Sequence, residues 1–301
     1  MAVLPPGLLY DIGTIAIYVF VLSSMFLTGL MVTVGDLVAP VRNRRLLSLA
    51  LISNFIIAPL IALTLIALIP MNEELAAGLL LVSIAAGAPS TAKVAQITGG
   101  NMAQAVSMTV LMTIITVIIL PFLLPFILED AQIDPLFILA NLVMLILIPI
   151  LCGILVRNRS ETVTARLLPV MDWVSNLSIA VIFLTYGILF LSQFEGIIRT
   201  SSGAIAVPVA ILFTLAALGI TYLLGRWFEE NARLDLAFGA GFRNITAALV
   251  VVFASFADVQ NDVFLMVLMV SIFAVIIVSI LVGIIFKKQR DAGKKEKGSG
   301  A

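Results

Sequence analysis

The chain has 301 residues, 62% of them apolar and 11% charged, with a net charge of zero and a mean hydropathy of +1.21. A soluble domain is roughly half apolar and one quarter charged, so lipid must be the solvent for most of these side chains. The sequence has no histidine and one cysteine, which excludes a His-based catalytic triad, a His- or Cys-ligated metal and an internal disulfide. The charge balance argues against a nucleic-acid partner, and Cys152 reads as a small packing residue.

Residues 1–11 carry no Lys or Arg, so no cleavable signal peptide is expected. At about 20 residues per crossing, nine spans are expected, near 12–36, 46–69, 75–98, 102–128, 135–156, 168–192, 203–226, 234–257 and 262–286. They make one transmembrane domain over 1–286, followed by a basic tail, 287–301, whose final Gly298-Ser299-Gly300-Ala301 reads as an added remnant. Fourteen of the seventeen Lys and Arg residues fall on alternate breaks, in RNRR (42–45), RNRSETVTAR (157–166), RWFEENAR (226–233) and the tail. The opposite breaks carry Glu73, Glu74, Glu129, Asp130, Asp134, Asp258 and Asp262. The positive-inside rule then predicts a cytoplasmic C-terminus and an outside N-terminus in a cell (inner) membrane, with Trp173 and Trp227 as interfacial anchors.

Lys93 and Arg243 lie inside spans, roughly 13–15 Å from the nearest loop at 1.5 Å per residue. A charge at that depth is costly and faces a bundle interior or a wet cavity. Asp172 and Asp235 sit near span ends, so neither cation has an evident partner in sequence. An anionic substrate would relieve both.

Spans three and eight read as broken. Span three carries Gly87, Pro89, Ser90 and Thr91; span eight carries Gly239, Gly241, Arg243 and Asn244. Proline removes a backbone donor, and glycine makes an opened helix cheap. The two spans are five apart and cross in opposite senses. Each is followed by a long Met/Val/Ile span, AVSMTVLMTIITVIILP (105–121) or FLMVLMVSIFAVIIVSI (264–280). The expected architecture is therefore all-α, an inverted repeat of about 12–128 against 135–286, with its two broken helices crossing at a transport site.

Several segments carry a family likeness: SSMFLTGLMVTVGDL (23–37), NFIIAPLIAL (54–63), LIPILCGILVRN (147–158), ITYLLGRWF (220–228), GAPSTAK (87–93), GGNMAQAVSMT (99–109) and GFRNITAAL (241–249). With them the chain resembles the bile acid:sodium symporter family, in particular the bacterial homologues of the apical bile acid transporters. The resemblance implies alternating access, helices four and nine of ten crossing at the cavity, and two sodium ions there. This chain matches without the first of those ten helices.

The resemblance places the family's sodium-binding Glu at Gly239, its neighbouring Gln at Arg243, a sodium-site Ser at Ala105, and its Ser-Asn pair close to Lys93. Thr109, Asn101 and Asn244 match the family. Lys93, Thr109, Gly239 and Arg243 are thus ion-site-like positions, and Ser90, Thr91, Lys93, Asn101, Arg243 and Asn244 are the candidate substrate contacts. No cofactor is expected, and the lost oxygen ligands argue against sodium.

The expected function is secondary transport of a small organic anion, of the carboxylate class, by a monomer with Lys93 and Arg243 in place of two sodium ions. The alternatives are sodium-coupled organic-anion or bile acid symport and metalloid efflux, the latter from a likeness of Ala88-Pro89-Ser90-Thr91-Ala92 to arsenite permeases. An intramembrane enzyme has only a Ser90–Lys93 dyad to work with, and no enzyme is expected.

Overall fold

The structure is a computed structural model that describes residues 6–37, 43–98, 101–127, 134–191, 201–255, 266–282 and 284. The expected tail at 287–301 and the acidic turn at 257–262 lie outside the described residues. Every regular element described is helical: α1 (Pro6–Leu30), α2 (Arg44–Leu68), α3 (Glu73–Ile84), α4 (Ser90–Thr98), α5 (Met102–Ile127) and α6 (Pro135–Arg159) come first. They are followed by α7 (Glu161–Leu191), α8 (Ser201–Leu224), α9 (Glu230–Gly241), α10 (Ile245–Ser255) and α11 (Met266–Val282). Among the described residues, seven stretches are long and apolar enough to cross a membrane, with Met266–Val282 a shorter eighth. Spans three and eight are the pairs α3–α4 and α9–α10.

Local chemistry explains the ends. Asn43, Asn72 and Asp134 accept the backbone N–H of Leu46, Leu75 and Leu136 and so cap α2, α3 and α6. Charge at two of the ends follows the helix dipole, with Glu73 and Glu74 opening α3 and Arg157 and Arg159 closing α6. α1 begins and ends about six residues earlier than expected. After a short break at Val32–Thr33 a new helical turn opens at 34–37, and Thr33 and Asp36 cap it: Asp36 accepts from the Thr33 N–H at 3.0 Å and its hydroxyl at 2.6 Å, while its own N–H donates to the Thr33 hydroxyl at 3.2 Å. Those bonds hold the Asp36 carboxyl below the usual carboxylate range. The expected break at 157–166 shrinks to Ser160, whose hydroxyl accepts from the Val163 N–H and starts α7 at once.

Two helices widen by one turn for the same reason. Pro59 in α2 and Pro149 in α6 have no N–H to give the carbonyl four residues back. The ladder skips by one residue at Ser53–Ile57, where the Ala58 N–H reaches Ser53 O, and at Val143–Leu147, where the Ile148 N–H reaches Val143 O. The first of these turns carries Asn54.

α1, α6 and α7 pack together as one layer, and the remaining helices build the body that holds both breaks. Gly29 of α1 and Gly153 of α6 bring the backbones so close that a Cβ on either would strike the other helix's main chain. Without a hydrophobic drive between helices in lipid, such small-residue crossings supply the packing. Outside, large apolar side chains such as Leu68 (74% exposed), Phe126 (79%) and Trp227 (80%) face outward, as a lipid solvent requires. Cys152 is exposed among them rather than packed inside, which corrects the expectation from its apolar run.

Candidate functional site

The first break runs through Ala85–Pro89, between the end of α3 and the start of α4. Gly87 adopts φ +85°, the one positive φ among the described residues, and a Cβ there would collide with Thr113 and with the Thr109 carbonyl. An opened helix at this depth needs partners for its freed backbone groups. A stripe of threonines on α5 supplies them. The Thr116 hydroxyl accepts from the Ala86 N–H at 3.0 Å, the Thr113 hydroxyl donates to Gly87 O at 3.0 Å, and the Thr109 hydroxyl lies 3.5 Å from Ala88 O. Thr109, Thr113 and Thr116 are spaced to share one helix face. That spacing is legible in SMTVLMTIIT (107–116), although the family likeness points to Thr109 alone.

The second break lies at Phe242–Asn244, so α9 continues unopened through Gly239 and Gly241, contrary to expectation. Gly241 serves a close approach instead, since a Cβ there would strike Leu218 of α8. A Cβ on Gly239 would have only Thr91 near it, at 3.9 Å. The two breaks bond directly, with the Asn244 N–H donating to Ala85 O at 2.8 Å. The Asn244 side chain caps α10 by accepting the Ala247 N–H at 3.1 Å, and its amide reaches the Thr113 hydroxyl at 3.4 Å. Every polar group named for Asn244 is thus engaged within the protein.

Arg243 is dry and at the break, as expected, but it is not uncompensated. Its Nε donates to Val82 O at 3.0 Å, its Nη1 to Asn54 Oδ1 at 2.9 Å and to Ala240 O at 3.2 Å, and its Nη2 to Ser83 O. Four of the five guanidinium N–H groups are used. Val82 and Ser83 close α3, and Ala240 closes α9, so the cation sits where two helix C-termini converge. Those ends carry partial negative charge, which is why a guanidinium is tolerated without a carboxylate. The widened turn of α2 sets Asn54 toward it, so the Asn54 carbonyl is an interhelical acceptor.

Beside this cage lies a small cavity of about 40 Å³, bounded by α2, the first break, α4, α5 and α9. That is room for about two or three waters or one small ion. Its polar lining is Asn54, Thr91, Gln104, Thr109 and Asp235, with Gly239 at the wall. Thr91 is 5% exposed, and its hydroxyl has no hydrogen-bond partner among the described residues. Asp235 receives the Asn101 backbone N–H, while its Oδ1 has no partner among the described residues. By sequence position Asp235 is a span-end residue; the structure brings it to the cavity wall, a placement that packing decides. No cluster of three His, Cys, Asp or Glu residues able to hold a metal occurs among the described residues.

The other candidates separate. Ser90 is exposed at the start of α4, and Asn101 is exposed at the head of α5, where its Oδ1 accepts the Gln104 N–H. Lys93 falls on α4 between Ser90 and Ile97, both exposed, and its side chain lies outside the described residues.

An all-helical body whose two interrupted spans meet backbone to backbone defines a multi-pass membrane protein of transporter type. A family model described as the Sodium Bile acid symporter family matches residues 17–200, more than half of the chain, and the chain belongs to that family. Its members are transporters and not enzymes. The match covers the first break and ends before the second, so Arg243 lies beyond the matched residues. Comparison with curated proteins gives no match.

Proposed function

We propose that this transporter carries a small organic anion of the carboxylate class by alternating access, without sodium at the position Arg243 occupies. The observation that carries the proposal is the oxygen cage around Arg243: three backbone carbonyls and one side-chain amide oxygen. Hard cations take oxygen ligands of this kind, and here a covalently attached cation already uses them. A free cation 4 Å from the guanidinium would meet about 4 kcal/mol of repulsion at an effective dielectric of 20, roughly a thousandfold in affinity.

The same geometry redirects the substrate reading. Arg243 and Asn244 are spent on the fold, and Asp235 makes the small cavity unfavourable for an anion. The anion contact in this reading is the exposed start of α4, at Ser90, with Lys93 on the same short helix and Thr91 behind it. Transport would rock the body carrying both breaks against the layer of α1, α6 and α7, in one domain with its basic tail on the cytoplasmic side.

Uptake of organic anions into proteoliposomes, with sodium replaced by choline, tests this directly. Equal rates in the two media are expected; uptake that collapses in choline would end the proposal. A second reading is favoured by one feature, the unpartnered Oδ1 of Asp235 in an ion-sized cavity: a single coupling cation taken there. Its mark would be coupled uptake that is lost in Asp235→Asn while anion binding persists.

A further inference from the structure

We propose that the groove between the start of α2 and the end of α8 is a binding site for an anionic phospholipid. The groove has a volume of about 620 Å³ and is lined by Arg44, Arg45, Ser48, Trp227 and Phe228, over an apolar floor of Leu49, Ile52 and Leu224. Arg44 and Arg45 are both exposed, and no carboxylate pairs with either among the described residues. They occupy the first turn of α2, the helix end at which cations are disfavoured. Helix stability therefore does not explain them, and two adjacent like charges lack a counter-charge. Arg226 adds a third guanidinium, 4.6 Å above the Trp227 ring.

The apolar half of the groove decides the kind of anion. Ile52 and Leu224 are 43% and 44% exposed, on the surface that α2 and α8 turn toward lipid. Ile52 lies seven residues beyond Arg45, roughly 10 Å further into the membrane at 1.5 Å per residue. A soluble anion would use the arginines and leave that floor bare. A phospholipid uses both, with its phosphate at Arg44 and Arg45 and its upper acyl chain along Ile52 and Leu224. Trp227, 80% exposed, stands at the boundary, where its ring meets apolar chain on one side and headgroup on the other. The proposal does not depend on which solute is carried.

Trp227 also supplies the readout. The chain has two tryptophans, so Trp173→Phe leaves Trp227 as the sole emitter in the full-length protein. Its fluorescence is followed in mixed micelles against phosphatidylglycerol with brominated acyl chains, and against the equally brominated phosphatidylcholine. Phosphatidylglycerol should quench at a mole fraction at least tenfold lower. Arg44→Gln with Arg45→Gln should weaken it about thirtyfold, near fivefold per arginine. If that pair fails to fold, Arg45→Gln alone should show the fivefold loss. Equal quenching by the two lipids overturns the proposal, as does a preference that survives both substitutions. Relief of quenching by millimolar inorganic phosphate would assign the groove to a soluble anion and overturn it as well.

Discussion

Replacing Arg243 by Ala is the sharpest test of the cage. The substitution strands Val82 O, Ser83 O, Ala240 O and Asn54 Oδ1, all acceptors inside the fold. An acceptor left unsatisfied in the interior costs about 1–3 kcal/mol, so four would cost roughly 4–12 kcal/mol with no relaxation. Removing a buried charge returns several kcal/mol of desolvation, which leaves a net loss of about 2–4 kcal/mol. The emptied cage is then a ready oxygen site, and a small cation should restore part of the loss. At ten times its Kd a bound cation contributes about 1.4 kcal/mol. Thermal unfolding of purified Arg243→Ala should therefore show a lowered Tm that sodium or methylguanidinium chloride raises and choline chloride does not. The parent protein, whose cage is filled, should respond equally to all three salts. An unchanged Tm for Arg243→Ala, or a fall that no cation repairs, would refute the reasoning.

Gly87→Ala should lose about 3 kcal/mol or more, since φ +85° strains an L-residue and the new methyl meets Thr113 and the Thr109 carbonyl; a Tm within error of the parent would contradict the fold at the first break. Thr113→Val should cost about 2–4 kcal/mol by unpairing Gly87 O and the Asn244 amide, while Thr113→Ser stays near the parent in the same unfolding assay. Gly153→Leu should force α1 off α6, because its side chain would enter the backbone of Phe26 and Leu30; a cysteine pair spanning the two helices should crosslink in the parent and fail in this variant.

Much of the architecture is legible without coordinates. The seven long apolar helices and the shorter eighth among the described residues follow from apolar runs about as long as a bilayer core is thick, because a segment's transfer into lipid is nearly a sum over its own residues. The interruption of span three follows from Gly87 and Pro89, whose backbone constraints act on the spot. The opening of span eight was expected at Gly239 and Gly241 and occurs at Phe242–Asn244 instead. There the tertiary partners Ala85 O, Val82 O, Ser83 O and Asn54 are worth more than the local ease of unwinding at glycine.

The site divides the same way. That a cation must be sheltered at position 243 is a statement about one residue in a low dielectric, and the sequence alone makes it. Which groups shelter it, and whether any charge remains to meet a substrate, depends on where two helix ends from opposite halves of the chain converge. Asp235 and the α5 threonines joined the site through that convergence too. Hydropathy and backbone preference are properties of consecutive residues, whereas the pairing of donors with acceptors is settled between residues up to 189 positions apart, once the helices have packed.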